Sequence, residues 1–401
     1  MSESQSEQPG GSWFEATGDW FSTHIGGLLV PVAAAVLAFI VGGLVVVATG
    51  HNPFSAYHAI FNGTGLNWFF PWVWGDERFS ASLDLQQTLI ITAPLMLTAC
   101  AVAFAFRCGM FNIGGQGQYF VGLMTALAVG HAFTGIPRPL HVLLASVAAI
   151  LAGAVWAGIA GFLKAAVGAH EVISTIMLNW IALWVGKWLV ELGGYMQGSE
   201  PEVPRSYDVT DSAKLWPIWG ALQPLHAGIF IALFGLVVYH VVLNRTTLGY
   251  EVRAVGFTPE AARYGGISVS RSYVLAMGIS GGFAGMAGAV DILGWKFHQA
   301  INDFDVSAVG FIGIAVALLG RNKAVGILFA ALLFGALQVG TSPRQLTGTD
   351  FPPELATNLS TMIQALIILF VGAEILIVTI WSQRKRLGFG KTTPRVKAQE
   401  I

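Results

Sequence analysis

Ten apolar runs dominate this chain, near 25–49, 85–106, 116–135, 141–163, 172–190, 225–243, 272–290, 306–320, 324–341 and 357–380. Most are about the length at which a helix crosses a ~30 Å hydrocarbon core with its backbone hydrogen bonds closed internally. Charged residues are 11% of the sequence and hydrophobic ones 54%, against ~25% charged in soluble domains. The expected fold class is therefore all-α, a polytopic membrane protein of about ten transmembrane helices. It divides into a polar tail, 1–24, a transmembrane domain, 25–380, and a basic tail, 381–401.

Orientation follows from Lys and Arg, which accumulate in cytoplasmic connections. With the amino terminus inside, 14 of the 21 basic residues fall on the cytoplasmic side and 7 outside. Both termini are then expected in the cytoplasm. Residues 1–24 contain no Lys or Arg and no small-residue cleavage site, so they do not read as a removable signal peptide and the first span is expected to stay.

The longest polar break among the cytoplasmic connections is 244–271, 28 residues carrying Arg245, Arg253, Arg263 and Arg271 against Glu251 and Glu260. Inside it, Thr258 can cap a helix and Pro259 suits the first helical position. Glu260, Ala261, Ala262, Arg263 and Tyr264 continue that helix for a turn or slightly more. Gly265 and Gly266 offer the left-handed conformation that ends it. So short a helix cannot form a domain, but it can dock into another protein. A solvated connector with ordinary helix punctuation is the other reading of the same residues.

A second break, 106–118, interrupts two apolar runs with polar side chains and four glycines. Irregular backbone at membrane depth is tolerated only where protein buries it or water reaches it. The segment is either a cytoplasmic turn, as Arg107 suggests, or a broken helix beside a permeation path, as Asn112 and Gln116 suggest. Asn179 lies in the fifth run, eight residues after Glu171. Its amide can bond a neighbouring helix or a neutral polar solute. Phe111, Asn112, Gln116 and Asn179 form the candidate substrate path. Glu374 is the only acid placed deep in a run, and such an acid faces the bundle interior or a cation.

Elsewhere the residues exclude more than they suggest. A net charge of −1 and the lack of a basic cluster with interleaved aromatics give no sign of nucleic-acid binding. Cys100 and Cys108 support neither a disulfide framework nor a zinc site, and the histidines lack ligand spacing. Gly388–Thr392 mimics a phosphate loop, but Lys385 replaces its first glycine and no strand precedes it. No catalytic residue, cofactor or metal is expected. The connections 51–84 and 191–224 are rich in aromatic residues, and read equally as an interfacial belt or as a landing surface for an external protein. Gly278, Gly281, Gly282, Gly285 and Gly288 give small-xxx-small spacings that favour close helix packing.

The loop residues Thr246, Gly249, Arg253, Ala254, Gly256, Ala261, Ala262 and Gly266-Ile267 resemble the coupling loop of ABC importer permeases of the branched-chain amino acid, ribose and nucleoside type. Met110-Phe111-Asn112-Ile113-Gly114, the stretch 171–179 and Asn52-Pro53-Phe54-Ser55-Ala56-Tyr57 resemble the nucleoside subgroup, which works with a basic membrane lipoprotein. One departure is Gln116, where family members commonly carry an acid. The resemblance implies a permease subunit without its own ATPase, driven through Thr258, Pro259, Glu260, Ala261, Ala262, Arg263 and Tyr264 by a separate ABC ATPase. It further implies a second permease subunit, in a heterodimer rather than a homodimer, an extracytoplasmic solute-binding lipoprotein, and a bacterial-type cell membrane. Nucleosides are the implied solute, with a simple sugar such as ribose as the nearest substitute. A stand-alone secondary transporter is the alternative from a different class, and would need more ion-coupling acids than Glu374.

Overall fold

The computed structural model describes residues 32, 34–200, 202–219, 224–342, 358–359 and 361–370. Tails 1–24 and 381–401 and Glu374, expected deep in the last apolar run, lie outside them. The described helices are α1 (Ala34–Ala48), α2 (Pro53–Gly63), α3 (Gly75–Arg107), α4 (Gly115–Ala132), α5 (Arg138–Val167), α6 (Glu171–Val190) and α7 (Gly228–Arg245). They continue with α8 (Thr247–Phe257), α9 (Pro259–Tyr264), α10 (Val269–Asp291), α11 (Asp303–Val306), α12 (Val309–Leu319), α13 (Ala324–Gly340) and α14 (Thr361–Phe370). Among the described residues, strand-like pairing is confined to isolated bridges such as Gln197 with Ser206. Among the described residues, five helices are long and apolar enough to cross a membrane: α3, α5, α6, α7 and α10 with its extension to Lys296. Helices α1, α13 and α14 are shorter apolar segments. The protein is an all-helical, multi-pass membrane protein.

The chain divides into two units, Val46–Thr361 and Met1–Val45 with Met362–Ile401. Of the second, the described parts lie in α1 and α14. The larger unit is organised around α3 and α10. Every residue of α3 from Thr92 to Ala105 is buried, as expected of a helix apolar all round. Its 33 residues reach about 50 Å, so its start at Gly75 stands well before the run that begins near 85. Asp76 and Glu77 in the first turn and Arg107 in the last suit the helix dipole.

Helix α10 packs most extensively on α5, then on α4 and α3. The contact depends on backbone approaching backbone. A Cβ on Gly281 would stand 2.1 Å from the Gly153 carbonyl oxygen, and one on Gly285 would stand 2.3 Å from that of Ala149. Without a hydrophobic drive between helices in lipid, such close packing supplies the dispersion energy. The glycine stripe expected to pack does so at Gly281, Gly285 and Gly288. Gly282 packs on Ile150, a Cβ there standing 3.3 Å from Cγ2, whereas Gly278 faces a space between α5 and α7 that both glycines line.

Two stretches differ from the sequence expectation. The connection 51–84 is not a plain loop. Asn52 accepts a hydrogen bond from the Phe54 amide at 2.9 Å and caps α2, with Pro53 at the first position. The run near 306–320 is a half-span: α12 has 11 residues, about 16 Å of helix against a ~30 Å core. Apolar content alone does not reveal that Ser307 and the short α11 turn the chain back inside the unit.

Candidate functional site

Two arrangements carry the functional argument, a polar junction among the membrane helices and the α8–α9 loop. The junction is built on residues 111–118, where the chain leaves α3 and starts α4. Asn112 is fully buried and uses its whole amide. Its nitrogen donates to Ser280 Oγ at 2.7 Å and to Gln118 Oε1 at 2.9 Å. Its oxygen accepts from the Gly114 amide at 2.9 Å and from Gln118 Nε2 at 3.0 Å. Ser280 passes the chain on to the Ala101 carbonyl at 2.6 Å. Asn112 therefore holds the irregular segment between α3 and α10.

Gln116 and Asn179 close the junction from its other sides. Gln116 Oε1 accepts from the Gly310 amide at 2.7 Å, and its nitrogen donates to the Ser307 carbonyl at 3.0 Å. It thus satisfies an amide at the start of α12 that no helical carbonyl can reach. Asn179, on α6, accepts from the Gly117 amide at 2.7 Å and donates to the Ile113 carbonyl at 2.9 Å. One amide hydrogen and one acceptor position of Asn179 remain over among the described residues. Phe111 is half-buried, its ring edge-on to Phe106 at 4.8 Å. Asn112, Gln116 and Asn179 all bond within, from or to the segment 112–118 with neutral donors and acceptors, whereas Phe111 packs back on Phe106 of α3. Glu171, at the start of α6, pairs with Lys164 at 2.6 Å.

The 244–271 segment is two helices rather than one. Thr246 accepts from the Gly249 amide at 3.1 Å and caps α8, which buries Gly249, Val252 and Val255. The approach is close at both glycines. A Cβ on Gly249 would stand 2.2 Å from the Val242 carbonyl oxygen, and one on Gly256 would stand 2.2 Å from that of Arg107. Arg107 Nη2 in turn donates to the Asn322 carbonyl at 3.1 Å, which also accepts from Tyr239 Oη at 2.7 Å. Helices α3, α7, α8 and the α12–α13 turn thus meet at one point. The apolar spacing 248, 252, 255 is helical and could have revealed α8.

Helix α9 starts and stops where the sequence places it, with different chemistry at each end. Thr258 is the N-cap residue, but its hydroxyl makes no capping bond. At the other end Gly265 stays out of the left-handed region and Gly266, at φ +83°, enters it. The Ile267 amide reaches the Ala262 carbonyl and the Gly266 amide that of Arg263, both at 3.0 Å, the Schellman arrangement. Ala262 is buried, whereas Ala261, Glu260 and Arg263 are exposed. Tyr264 is 96% exposed and Phe257, the last residue of α8, 86%. Phe257 was not among the sequence candidates, although an aromatic residue in so polar a segment is itself a signal.

A third group escaped the sequence reading. Asp291 ends α10 buried and pairs with Lys296 at 3.2 Å. It also accepts from the Tyr119 hydroxyl and from Trp295 Nε1 at 3.0 Å. Lys296 donates to Tyr119 Oη at 3.0 Å. The lysine reads as a loop cation in sequence, because only the tertiary fold turns the 292–296 π-turn back onto α4. In the connection after α6, Lys214 donates to Asp211 at 2.6 Å and holds its carboxyl below the usual carboxylate range.

Residues 85–372 match the model of the branched-chain amino acid transport system / permease component family. The chain is 36% identical over 370 residues to the guanosine ABC transporter permease protein NupP of Bacillus subtilis, covering 90% of this chain and 97% of the relative. It is 32% identical to the nucleoside ABC transporter permease protein NupB of Lactococcus lactis, covering 92% and 97%. It is 33% identical to the glucose ABC transporter permease protein TsgB13 of Haloferax volcanii, covering 89% of each. A match across most of the bundle, junction and loop included, shows that the chain belongs to the family of branched-chain amino acid transport system permease components.

Proposed function

We propose that this chain is the permease subunit of an ATP-driven nucleoside importer, with α8 and α9 as the surface on which a separate ABC ATPase acts. The observation that carries this reading is the loop itself. Two short helices stand between membrane crossings, held by backbone contacts on one side and presenting Phe257, Ala261 and Tyr264 on the other. The chain hydrolyses no ATP of its own. It works in the cell membrane with a second, different permease subunit and an external solute-binding lipoprotein that docks on the aromatic-rich connections. The loop and both termini face the cytoplasm, as the 14-to-7 division of basic residues supports.

In this reading the solute passes beside the polar junction. Asn179 offers it the amide hydrogen and acceptor position left over, Phe111 an aromatic surface, and Asn112 and Gln116 fix the segment that carries them. The guanosine and nucleoside permeases among the relatives support a nucleoside. The glucose permease favours a second reading, a simple sugar. Uptake of labelled guanosine by cells expressing the complete transporter decides between them. Competition by other nucleosides and not by glucose or ribose supports the proposal, whereas competition by sugar alone moves the solute to the second reading. Labelling of a cysteine placed at Glu260 from outside intact cells would overturn the orientation and the ATPase surface together.

A further inference from the structure

The space lined by Gly278 and Gly282 is a cavity of about 750 Å³ between α5, α7 and α10. Helices α5 and α7 both pack on α10 yet barely meet each other. Every residue lining the cavity is aliphatic, aromatic, methionine or glycine. A solute with hydroxyl groups has nothing to bond there, so it is separate from the polar junction.

Its length matches one leaflet. The lining of α10 runs from Val274 to Met286, about 18 Å along the helix axis. That is close to the ~15 Å of one leaflet, half of a ~30 Å core. An apolar lining of that length suits hydrocarbon chains.

Charge marks one mouth. Val242 and Val274 line that end, three residues from Arg245 and from Arg271. Side chains three apart share a helix face, so both arginines stand at the mouth. Both are exposed, and neither forms an ion pair among the described residues. Their long stems let the guanidinium groups reach the headgroup layer. We propose that this groove holds the acyl chains of an anionic phospholipid from the leaflet on the side of the α8–α9 loop, its phosphate gripped by Arg245 and Arg271.

Two glycines allow the groove to be plugged without moving backbone. A Cβ on Gly158 meets nothing within 4 Å, and one on Gly278 meets only the Ala154 carbonyl oxygen at 3.8 Å. The test is native mass spectrometry of the purified full-length chain, titrated with phosphatidylglycerol and, separately, with phosphatidylethanolamine. The wild type should retain one phosphatidylglycerol at least tenfold better than phosphatidylethanolamine. Gly158→Leu/Gly278→Leu should lose both lipids. Arg245→Gln/Arg271→Gln should keep weak binding but lose the preference for phosphatidylglycerol. Circular dichroism and thermal unfolding show whether each variant is folded, and the arginine variant serves if the plugged one is not. Unchanged phosphatidylglycerol retention in a folded plugged variant would overturn the groove, and an undiminished preference in the arginine variant would overturn the headgroup site.

Discussion

Asp291 and Lys296 show how much a single side chain in this membrane protein depends on its partner. Asp291 is buried and Lys296 half-buried, and Tyr119 and Trp295 add hydrogen bonds to the pair. Asp291→Asn leaves the half-buried ammonium against a neutral amide. The expected loss is about 3–5 kcal/mol, seen as a large fall in thermal midpoint in detergent. Asp291→Asn with Lys296→Met should recover part of it, because the charge left alone is then gone. Thr258 is the opposite case. Its hydroxyl caps nothing, so Thr258→Ala should change stability by less than about 0.5 kcal/mol, not the ~1 kcal/mol of a working cap. Ala261→Trp and Ala262→Trp should likewise part company. The first alters only the exposed face, whereas the second overpacks a buried position and should lower the thermal midpoint.

At the scale of elements, legibility followed the range of the contacts that define each one. Helix α9 could be read from Thr258, Pro259 and Gly266 because its start and stop lie within a few residues. Helix α8 was missed because the polar character of the segment hid a buried stripe of only Gly249, Val252 and Val255. The half-span α12 looks like a full crossing in sequence because its start is satisfied by Gln116, 194 positions away. The same distance hid the role of Asn112. Its residue type announced a buried amide, but Gln118 and Ser280, which saturate it, are visible only in three dimensions. The exposed edge of α8 and α9 bears its own expectation. Phe257→Ala or Tyr264→Ala removes an aromatic anchor, and such anchors at interfaces are typically worth ~2 kcal/mol or more. ATPase binding by the purified permease should weaken roughly 30-fold with no change in thermal midpoint. Unchanged binding in both variants would place the interface elsewhere.

For the molecule as a whole, the meeting of Gly256, Arg107, Asn322 and Tyr239 has a consequence for stoichiometry. Helix α8 touches α3 there through backbone alone, with no side chain between them to deform. With α8 and α9 as the proposed ATPase surface, a displacement of the loop would pass to α3, to α7 through Tyr239, and to the α12–α13 turn through Asn322. Gly256→Ala prises that contact apart while leaving the exposed docking face and the polar junction as they are. In the proposed coupling, the loop of such a variant still follows the ATPase, but the helices no longer follow the loop. The complete transporter carrying it should go on hydrolysing ATP while the number of solute molecules moved per ATP falls severalfold, which parallel phosphate-release and uptake measurements in proteoliposomes would register as slip.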